Sequence, residues 1–549
     1  KDTLENACAR ETRHVTRAID PLLPGCKQVG HAQQDFPMCQ APRGQAPDMD
    51  CVLLSALESP LSLAAAPSLP NQLDCVSSRQ VLPSVTEGET AEQLSQGVVK
   101  DVVVVGAGPA GAAAAMLLCK DGYNVQVFER RDTPANDANA RAFGIVINER
   151  GRHALSQLGI TLPAPECGVK FEGSLRHTVK GTSLMPNSEG SVCVDRGALA
   201  RYMVNYAQEN YPAIKFNFNK SCTAIDTVQR KACFKDIAGE EVCAEYDLLV
   251  GADGANSAVR EALMKEGRIT YTREENQRDY KSFVLDKKLW DQDPEYKNKM
   301  LTWSSVDGSV TRMWAVPNPD GTAQGMLTLY KGGFQGLDQA QDYTALLSSK
   351  FAGVKQEMLT AISASCASAP VSGGGTMVKC SSLYSNNVAL VGDAGHSMYP
   401  ALGQGCNSAI ESAAVLAQEL RNSAGDLQKA LSTYSESRLP EVSAAADLSA
   451  EVIEIDGSKG IVGTFKKALF GLQILSALIL NKLAPAIFSP PFLFQVNKVG
   501  ASYVQLKQRS RRDGVFLIAL MLGVTAALAW VALNVLPSIA HVAMRFVTA

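Results

Sequence analysis

The spacing of apolar residues along the chain predicts alternating strands and helices over most of its length. Val102 to Val105 is a continuous β-branched run, which is typical of a buried parallel strand. The apolar segment 112–120 predicts a helix after it, and 124–128 predicts a second strand. Similar signals continue to about residue 439, so we expect an α/β fold in this part of the chain.

The pattern changes between about residues 269 and 378. Runs such as 311–316 and 325–330 are short and strand-like, and a Pro-Asp-Gly turn separates them. We therefore expect a mixed sheet inserted between two parts of the α/β domain. The predicted divisions are an irregular N-terminal extension (1–98), the first part of the α/β domain (99–268, with an excursion near 165–195), the inserted sheet (269–378), the second part of the α/β domain (379–440), a helical region (441–510) and an anchor (511–549).

The clearest apolar segment lies near the C-terminus. Residues 515–536 carry no charge, and 22 residues suffice to cross the hydrocarbon core of a bilayer. Basic residues precede this segment at Lys507, Arg509, Arg511 and Arg512. We predict a single-pass tail anchor that keeps the body of the protein on the cytosolic, matrix or stromal side. An organelle membrane is expected, mitochondrial in the first place and plastid or thylakoid as the alternative. The apolar stretch 470–480 is too short to span, so we expect 470–494 to lie at the membrane interface.

Composition excludes several classes of function. The formal net charge is −3 without a basic face, which argues against nucleic-acid binding. The six histidines form no cluster, and the 14 cysteines show no metal-ligand spacing, so we predict no metal site. The nine cysteines after residue 100 are expected to be reduced core thiols. The first 98 residues hold more acids than bases, which argues against an intact Arg-rich transit peptide.

A glycine-rich turn follows the first strand with G-x-G-x-x-G spacing. Gly106 permits a tight turn, Gly108 lets a pyrophosphate approach the backbone, and Gly111 lets the helix pack against the strand. Glu129 stands at the end of the second strand, where a carboxylate suits a ribose hydroxyl. These features predict a dinucleotide-binding βαβ unit.

Two later motifs indicate which dinucleotide the chain binds. In each, a buried strand ends in an acid-bearing glycine turn, first at Asp253-Gly254 and then at Gly392-Asp393. The second continues into a glycine-rich turn, 400–407, that opens an Ala-rich helix over 408–421. An acid at a strand end accepts hydrogen bonds from a polyol, and a helix N-terminus favours an anion. A flavin offers both a ribityl chain and an anionic reduced ring.

Together, in this order, the three motifs resemble those of the single-component FAD-dependent aromatic monooxygenases of the p-hydroxybenzoate hydroxylase type, over about residues 100–450. Within that family, the run 143–155, the turn 403–407 and the anchor are most similar to the kynurenine 3-monooxygenase branch. The resemblance implies a Rossmann-like FAD-binding domain, an inserted mixed β-sheet substrate domain, a helical C-terminal region and a transmembrane helix. It also implies FAD as cofactor, NAD(P)H and O₂ as co-substrates, and hydroxylation of an aromatic ring.

Roles for individual residues follow from this resemblance. FAD contacts are implied for Gly106, Gly108, Ala110, Gly111, Glu129, Arg130, Arg141, Arg196, Asp253, Gly254, Gly392, Asp393, Gly403, Gly405 and Asn407. Pro400, Gly403, Gly405 and Asn407 are expected to face the isoalloxazine and the oxygen site, and Pro400, Gly403 and Asn407 are the candidate catalytic residues. His396 is predicted to be structural rather than a general base, and Tyr399 either lines the pocket or packs in the core.

The substrate stays open at this stage. Kynurenine hydroxylases hold the substrate carboxylate with an arginine and a tyrosine, but segment 168–191 offers Lys170, Arg176 and Asn187 and no tyrosine. A hydrophobic aromatic, a phenol or a quinone precursor delivered from the membrane competes with kynurenine. A different function is also open, that of an accessory subunit of an organellar membrane complex that retains the flavoprotein fold. A reductase-like flavoenzyme would share the FAD motifs but would lack the anchor.

Overall fold

The computed structural model describes residues 100–133, 144–187, 190–307, 311–458, 460–486 and 488–537. The extension predicted for 1–98 lies outside these residues, as does Arg141. Within the described ranges, the predicted α/β fold with mixed sheets and a helical C-terminal region is confirmed.

A six-stranded sheet forms the centre of the α/β part. Its β-branched strand Asp101–Val105 is buried and pairs in parallel with Asn124–Phe128 on one side and Leu248–Gly251 on the other. The carboxyl ends of these strands therefore share one edge, where an open parallel sheet binds its ligands. Across the sheet the order is Tyr384–Ser385, Val388–Leu390, Leu248–Gly251, Asp101–Val105, Asn124–Phe128 and Lys215–Asn217.

Helices cover this sheet with small residues. Pro109–Lys120 presents a row of buried alanines and packs against Gly405–Asn422, and both belong to one hydrophobic core. Small side chains let the two helix N-termini approach the same strand ends. The other helices of the α/β part are Glu149–Ser156, Arg196–Asn210, Ala258–Lys265 and Asp393–His396, with a 3₁₀ turn at Pro400–Leu402.

A seven-stranded mixed sheet stands beside the α/β part. One of its faces carries Phe283, Leu301 and Leu327, which pack against helices Ala340–Lys350 and Gln356–Ser368. It also takes two strands from the excursion near 165–195, so the sheet is not confined to the predicted insertion. In order, its strands are Ser372–Gly373, Arg278–Leu285, Ala323–Tyr330, Arg312–Pro317, Lys299–Ser304, Gly173–Thr178 and Gly181–Pro186.

Three small sheets complete the β structure among the described residues. One joins Gly144–Ile147, Val192–Asp195 and Val169–Lys170, another joins Ser221–Asp226, Lys231–Lys235 and Glu241–Glu245, and the third pairs Tyr271–Glu275 with Thr376–Cys380. A disulfide joins Cys233 to Cys243, so the expectation of reduced thiols is wrong for these two, while the other seven cysteines after residue 100 are free. The two residues lie directly opposite each other on antiparallel strands, a pairing that their spacing along the sequence does not reveal.

The C-terminal region consists of three long helices, Leu427–Gly457, Gly460–Leu483 and Tyr503–Asn534. The last contains the predicted anchor and carries exposed apolar side chains over its second half. Gly460–Leu483 is 24 residues long, so the apolar element is longer than the sequence predicted for 470–480. By length and composition, both helices suffice to cross a membrane. The remaining 3₁₀ turns are Lys287–Leu289 and Phe492–Phe494.

Candidate functional site

The first glycine turn packs closely against the rest of the protein at Gly106 and at Gly111. A Cβ on Gly111 would lie 1.9 Å from the carbonyl oxygen of Gly106, so only glycine fits where the helix meets the turn. Gly106 has φ +103°, and a Cβ there would lie 2.5 Å from Ala252 O. At Gly108, in contrast, a Cβ would meet no protein atom within 4 Å. The turn is thus tight towards the protein and open at Gly108, beside the N-terminus of Pro109–Lys120.

Glu129 is buried at the end of the neighbouring strand and braces this turn. Its Oε2 accepts a hydrogen bond from Ala107 N at 2.8 Å, and its Oε1 accepts one from Arg131 N at 3.1 Å. A carboxylate has about four acceptor sites, so each oxygen keeps capacity for a further donor. Arg130 follows Glu129 and is exposed.

Asp253 meets the first turn from the central strand. The Cα of Asp253 lies 3.0 Å from the position of a Cβ on Gly106, which brings the first two motifs into contact. Asp253 Oδ2 accepts hydrogen bonds from Ala258 N at 2.6 Å and Val259 N at 3.2 Å. Its Oδ1 is buried without a hydrogen-bond partner, so this oxygen can accept from a group that the chain itself does not supply. Burial raises the pKa of this carboxyl group.

The third motif joins the other two at Gly392. This residue has φ +59°, and a Cβ there would lie 3.0 Å from Ala110 Cβ and 3.1 Å from Ala409 Cβ. Gly392 therefore lies between the first turns of the two covering helices. Burial raises the pKa of the adjacent Asp393, and the nearby Arg196 guanidinium opposes this rise.

The turn 400–407 presents one open side. Gly403 has φ +62°, and a Cβ at Gly403 or Gly405 would meet nothing within 4 Å. Pro400 and Gly403 are exposed, as expected of residues that face a ligand space. Asn407 instead is buried, and its Nδ2 donates to Val146 O at 2.9 Å and Gly403 O at 2.8 Å. Its side chain therefore fixes the shape of the turn.

A buried amide network holds this turn from behind, and the sequence did not predict it. Gln404 Oε1 accepts hydrogen bonds from Tyr503 Oη at 2.9 Å and from Asn148 Nδ2 at 3.3 Å, while Gln404 Nε2 donates to Asn497 Oδ1 at 2.8 Å. Asn148 N also donates to Asn407 Oδ1 at 3.0 Å. The turn is therefore tied to the first residue of the last helix, 99 positions later.

Beneath the network lies a buried ion triad. Arg150 Nη1 is 3.0 Å from Glu411 Oε1, and Arg438 Nη2 is 2.7 Å from Glu411 Oε2. Burial raises the pKa of Glu411, but the two guanidinium groups outweigh this effect and hold it below its usual range. Arg150 also stacks over the Tyr503 ring at 4.1 Å.

His396 and Tyr399 are structural residues. His396 Nε2 lies 2.9 Å from Ser412 Oγ, and burial, together with Arg438, lowers its pKa to about 3. The imidazole is therefore neutral at physiological pH, which agrees with the structural role predicted from the sequence. Tyr399 is buried in the core with Met377 and Met398.

The second face of the seven-stranded sheet turns towards the α/β part. Val316 and Trp314 on this face contact Gly144, whose strand also accepts the Asn407 bond at Val146. The register places five side chains in one row across the sheet on this face. They are Arg176, Thr302, Trp314, Met326 and Ser282. We call this side of the sheet the substrate-side face. The row itself combines one cation, Arg176, with aromatic, apolar and hydroxyl groups.

The candidate residues for binding a substrate carboxylate do not come together in the structure; they are Lys170, Arg176 and Asn187. Asn187 donates to Phe171 O at 3.0 Å and Ser191 O at 2.8 Å, so its amide closes a loop. Arg176 donates to Ser304 Oγ at 3.1 Å, and Lys170 is exposed on a different sheet.

The residues present fit a bound flavin dinucleotide on three counts. Gly108 is open beside a helix N-terminus, Asp253 Oδ1 is an orphaned buried acceptor, and the open side of Gly403 and Gly405 begins a second helix. The sequence model of the FAD binding domain family matches residues 100–305 and 375–449, just over half of the chain. The chain belongs to this family. It is an FAD-dependent monooxygenase, an oxidoreductase, so the cofactor prediction is confirmed.

The chain is also similar to individual proteins of known activity or structure. A kynurenine 3-monooxygenase of Phaeosphaeria nodorum is 26% identical over 506 residues, covering 81% of this chain and 98% of the relative. A kynurenine 3-monooxygenase of Salinispora tropica is 29% identical over 63% of this chain and 78% of its own. The solved structure of Klebsiella pneumoniae HpxO complexed with FAD and uric acid matches with a TM-score of 0.56 at 22% identity, over 71% of this chain and 97% of that one, and supports the fold. These comparisons give no support to an accessory subunit.

Proposed function

We propose that the protein uses NAD(P)H and O₂ to hydroxylate an aromatic compound at the space between the turn 400–407 and the substrate-side face. The observation that carries this proposal is the meeting of all three glycine-acid motifs, through Gly106 and Gly392, at one edge of the parallel sheet. An open sheet binds its ligand at this edge.

Each motif has a distinct task in this proposal. Gly106, Gly108 and Gly111 form the pyrophosphate turn, and Glu129 accepts from the adenosine ribose. Ala110 lines the helix start, and Arg130 is assigned to the same half of FAD. Arg141 is assigned, with Arg196, to the phosphate and ribityl region. Asp253, Gly254, Arg196, Gly392 and Asp393 are assigned to its central and ribityl part.

The turn 400–407 orients the reacting end. Pro400, Gly403 and Gly405 bound the ring, and Asn407 keeps their backbone in place. FAD, when bound, supplies the redox chemistry that activates O₂, and the chain supplies orientation and exclusion of water. His396 is not assigned an acid or base role in this proposal, because its Nε2 lies within hydrogen-bond distance of Ser412 Oγ.

For the substrate, the substrate-side face favours an apolar aromatic ring. Trp314 and Met326 offer apolar surface for a ring, and Asn187 is already committed to the backbone. Kynurenine, the substrate named for the fungal and bacterial relatives, is the second candidate.

A substrate screen tests the function. We expect FAD-loaded protein to oxidise NADPH faster when an apolar phenol or quinone precursor is added, and to release a hydroxylated product. Kynurenine is included as a parallel arm. Product must be measured beside NADPH loss, because uncoupled oxidation also consumes NADPH. Unstimulated oxidation and no product with every aromatic compound would contradict the proposal.

We further propose that the second half of Tyr503–Asn534 anchors the enzyme in an organelle membrane, mitochondrial rather than plastid. A chain that ends at Asp513 keeps Ser510 and its contact with Gln473 but loses the apolar half of the helix. We expect this truncation to remove the protein from the carbonate-resistant membrane fraction. Full resistance after truncation would assign the anchor to another segment. Imaging of a tagged full chain tests the organelle.

A further inference from the structure

The helices Leu427–Gly457 and Tyr503–Asn534 run side by side in the same direction. Glu441 Oε1 and Oε2 accept hydrogen bonds from Ser502 Oγ and Tyr503 N, both at 2.6 Å, and Asp447 pairs with Lys507. The paired positions therefore increase along the sequence of both helices, as they do for parallel helices. At 1.5 Å per residue, nine further residues bring Asp456 about level with residue 516, where the apolar run has begun.

The helix Gly460–Leu483 then turns back along the same pair. Lys466 Nζ lies 2.8 Å from Glu454 Oε1, and Gln473 Nε2 donates to Ser510 O at 2.6 Å. Its later residues therefore lie level with earlier positions of the last helix. The end of Leu427–Gly457 and the first turn of Gly460–Leu483 therefore lie about level with the start of the apolar run in the last helix.

The first turn of Gly460–Leu483 is apolar and exposed. Ile461 is 89% exposed, Val462 67% and Phe465 61%. Lys466 and Lys467 follow at once, and long cationic side chains of this kind hold their charge at a membrane surface while their stems lie against apolar groups. Three large apolar side chains at the start of the helix, followed directly by two lysines, are typical of a segment at a lipid interface.

We propose that residues 461–465, the membrane tip, insert into the same leaflet that the anchor helix enters. The proposal rests on the proposed anchoring of residues 515–536. The end of Leu427–Gly457, which precedes the tip along the chain, is tied to the substrate-side face, because Asp456 pairs with both Arg278 and Arg312 and Tyr330 Oη donates to Gly457 O at 2.9 Å. Two insertion points would hold this edge of the seven-stranded sheet against the bilayer, where an apolar aromatic substrate concentrates.

The test uses the full-length, FAD-loaded protein in vesicles of phosphatidylcholine with a minor fraction of phosphatidylserine. A photoreactive residue is introduced as Ile461→p-benzoylphenylalanine, and lipid adducts are measured by mass spectrometry after illumination. Val524→p-benzoylphenylalanine, on the anchor and 50% exposed, is the positive control. Ile237→p-benzoylphenylalanine, in a hairpin turn and 90% exposed, is the matched negative control.

We expect lipid adducts at positions 461 and 524 and none at 237. Adducts at 524 with none at 461 would overturn the membrane tip while leaving the anchor standing. No adducts at 524 would refute the anchor, and with it the premise of the tip. Cross-linked protein dimers at 461 in place of lipid adducts would assign the tip to contact between copies and would also overturn the proposal.

Discussion

The variant Gly108→Val is expected to lose bound FAD while keeping the fold of the apoprotein. Gly108 has φ −70° and ψ 177°, an extended conformation that valine adopts, and its Cβ position meets no protein atom within 4 Å. The branched side chain would instead fill the space assigned to the pyrophosphate, so the cost falls on the ligand. The purified variant should show no flavin absorbance near 450 nm, and its unfolding temperature should equal that of wild-type apoprotein.

Gly111→Ala, three positions later, separates ligand loss from fold loss. Its Cβ would lie 1.9 Å from Gly106 O, so the backbone of the turn must move. Overpacking of this kind costs about 1–3 kcal/mol, and we expect the apoprotein itself to be destabilised. Full flavin absorbance in Gly108→Val would refute the position assigned to the pyrophosphate.

The variant Glu411→Gln is expected to lower the free energy of unfolding by about 3–5 kcal/mol, because it leaves the buried Arg150 and Arg438 without a counter-charge. Chemical denaturation of the FAD-loaded protein measures this change. Glu419→Gln on the same helix is the matched control, since the described residues give Glu419 no ion pair. We expect the control to stay within about 0.5 kcal/mol of wild type.

The pH dependence of this difference has a defined sign. Since the folded-state pKa of Glu411 is lowered, its stabilising contribution is present above the unfolded pKa of about 4.3 and is lost as pH falls through the folded value. The gap between wild type and Glu411→Gln should therefore be full at pH 7 and shrink under acid conditions. An equal difference in the free energy of unfolding at neutral and at acid pH would exclude the Glu411 carboxylate charge as its source.

Local signals in the sequence were sufficient for the strand ends and glycine turns. Gly106 and Gly111 are required by contacts within a few residues or with the neighbouring strand of one sheet, so their spacing alone reports the fold. The helix from Gly405 was predicted for the same reason, because its alanines continue directly from the turn.

Long-range contacts could not be predicted in this way. Arg150 and Glu411 are 261 positions apart, and a single sequence carries no sign that they pair. The apolar stretch predicted at 470–480 is shorter than the helix Gly460–Leu483, because Lys466 and Lys467 interrupt the apolar run, although Lys466 is paired with Glu454. The hydrogen bonds from Asn187 to two backbone carbonyls could not be predicted either, because they form only in the folded loop.

The hydrogen bond between Gln404 and Tyr503 also fixes an order of events during synthesis. The parallel sheet and the seven-stranded sheet are complete once residue 390 has been made, and domains fold progressively from the N-terminal side during translation. The turn 400–407, however, lacks the hydrogen bond between Tyr503 and Gln404 until residue 503 leaves the ribosome. We therefore expect stable loading of FAD only in the last stage of synthesis, when the apolar second half of the same helix is being made.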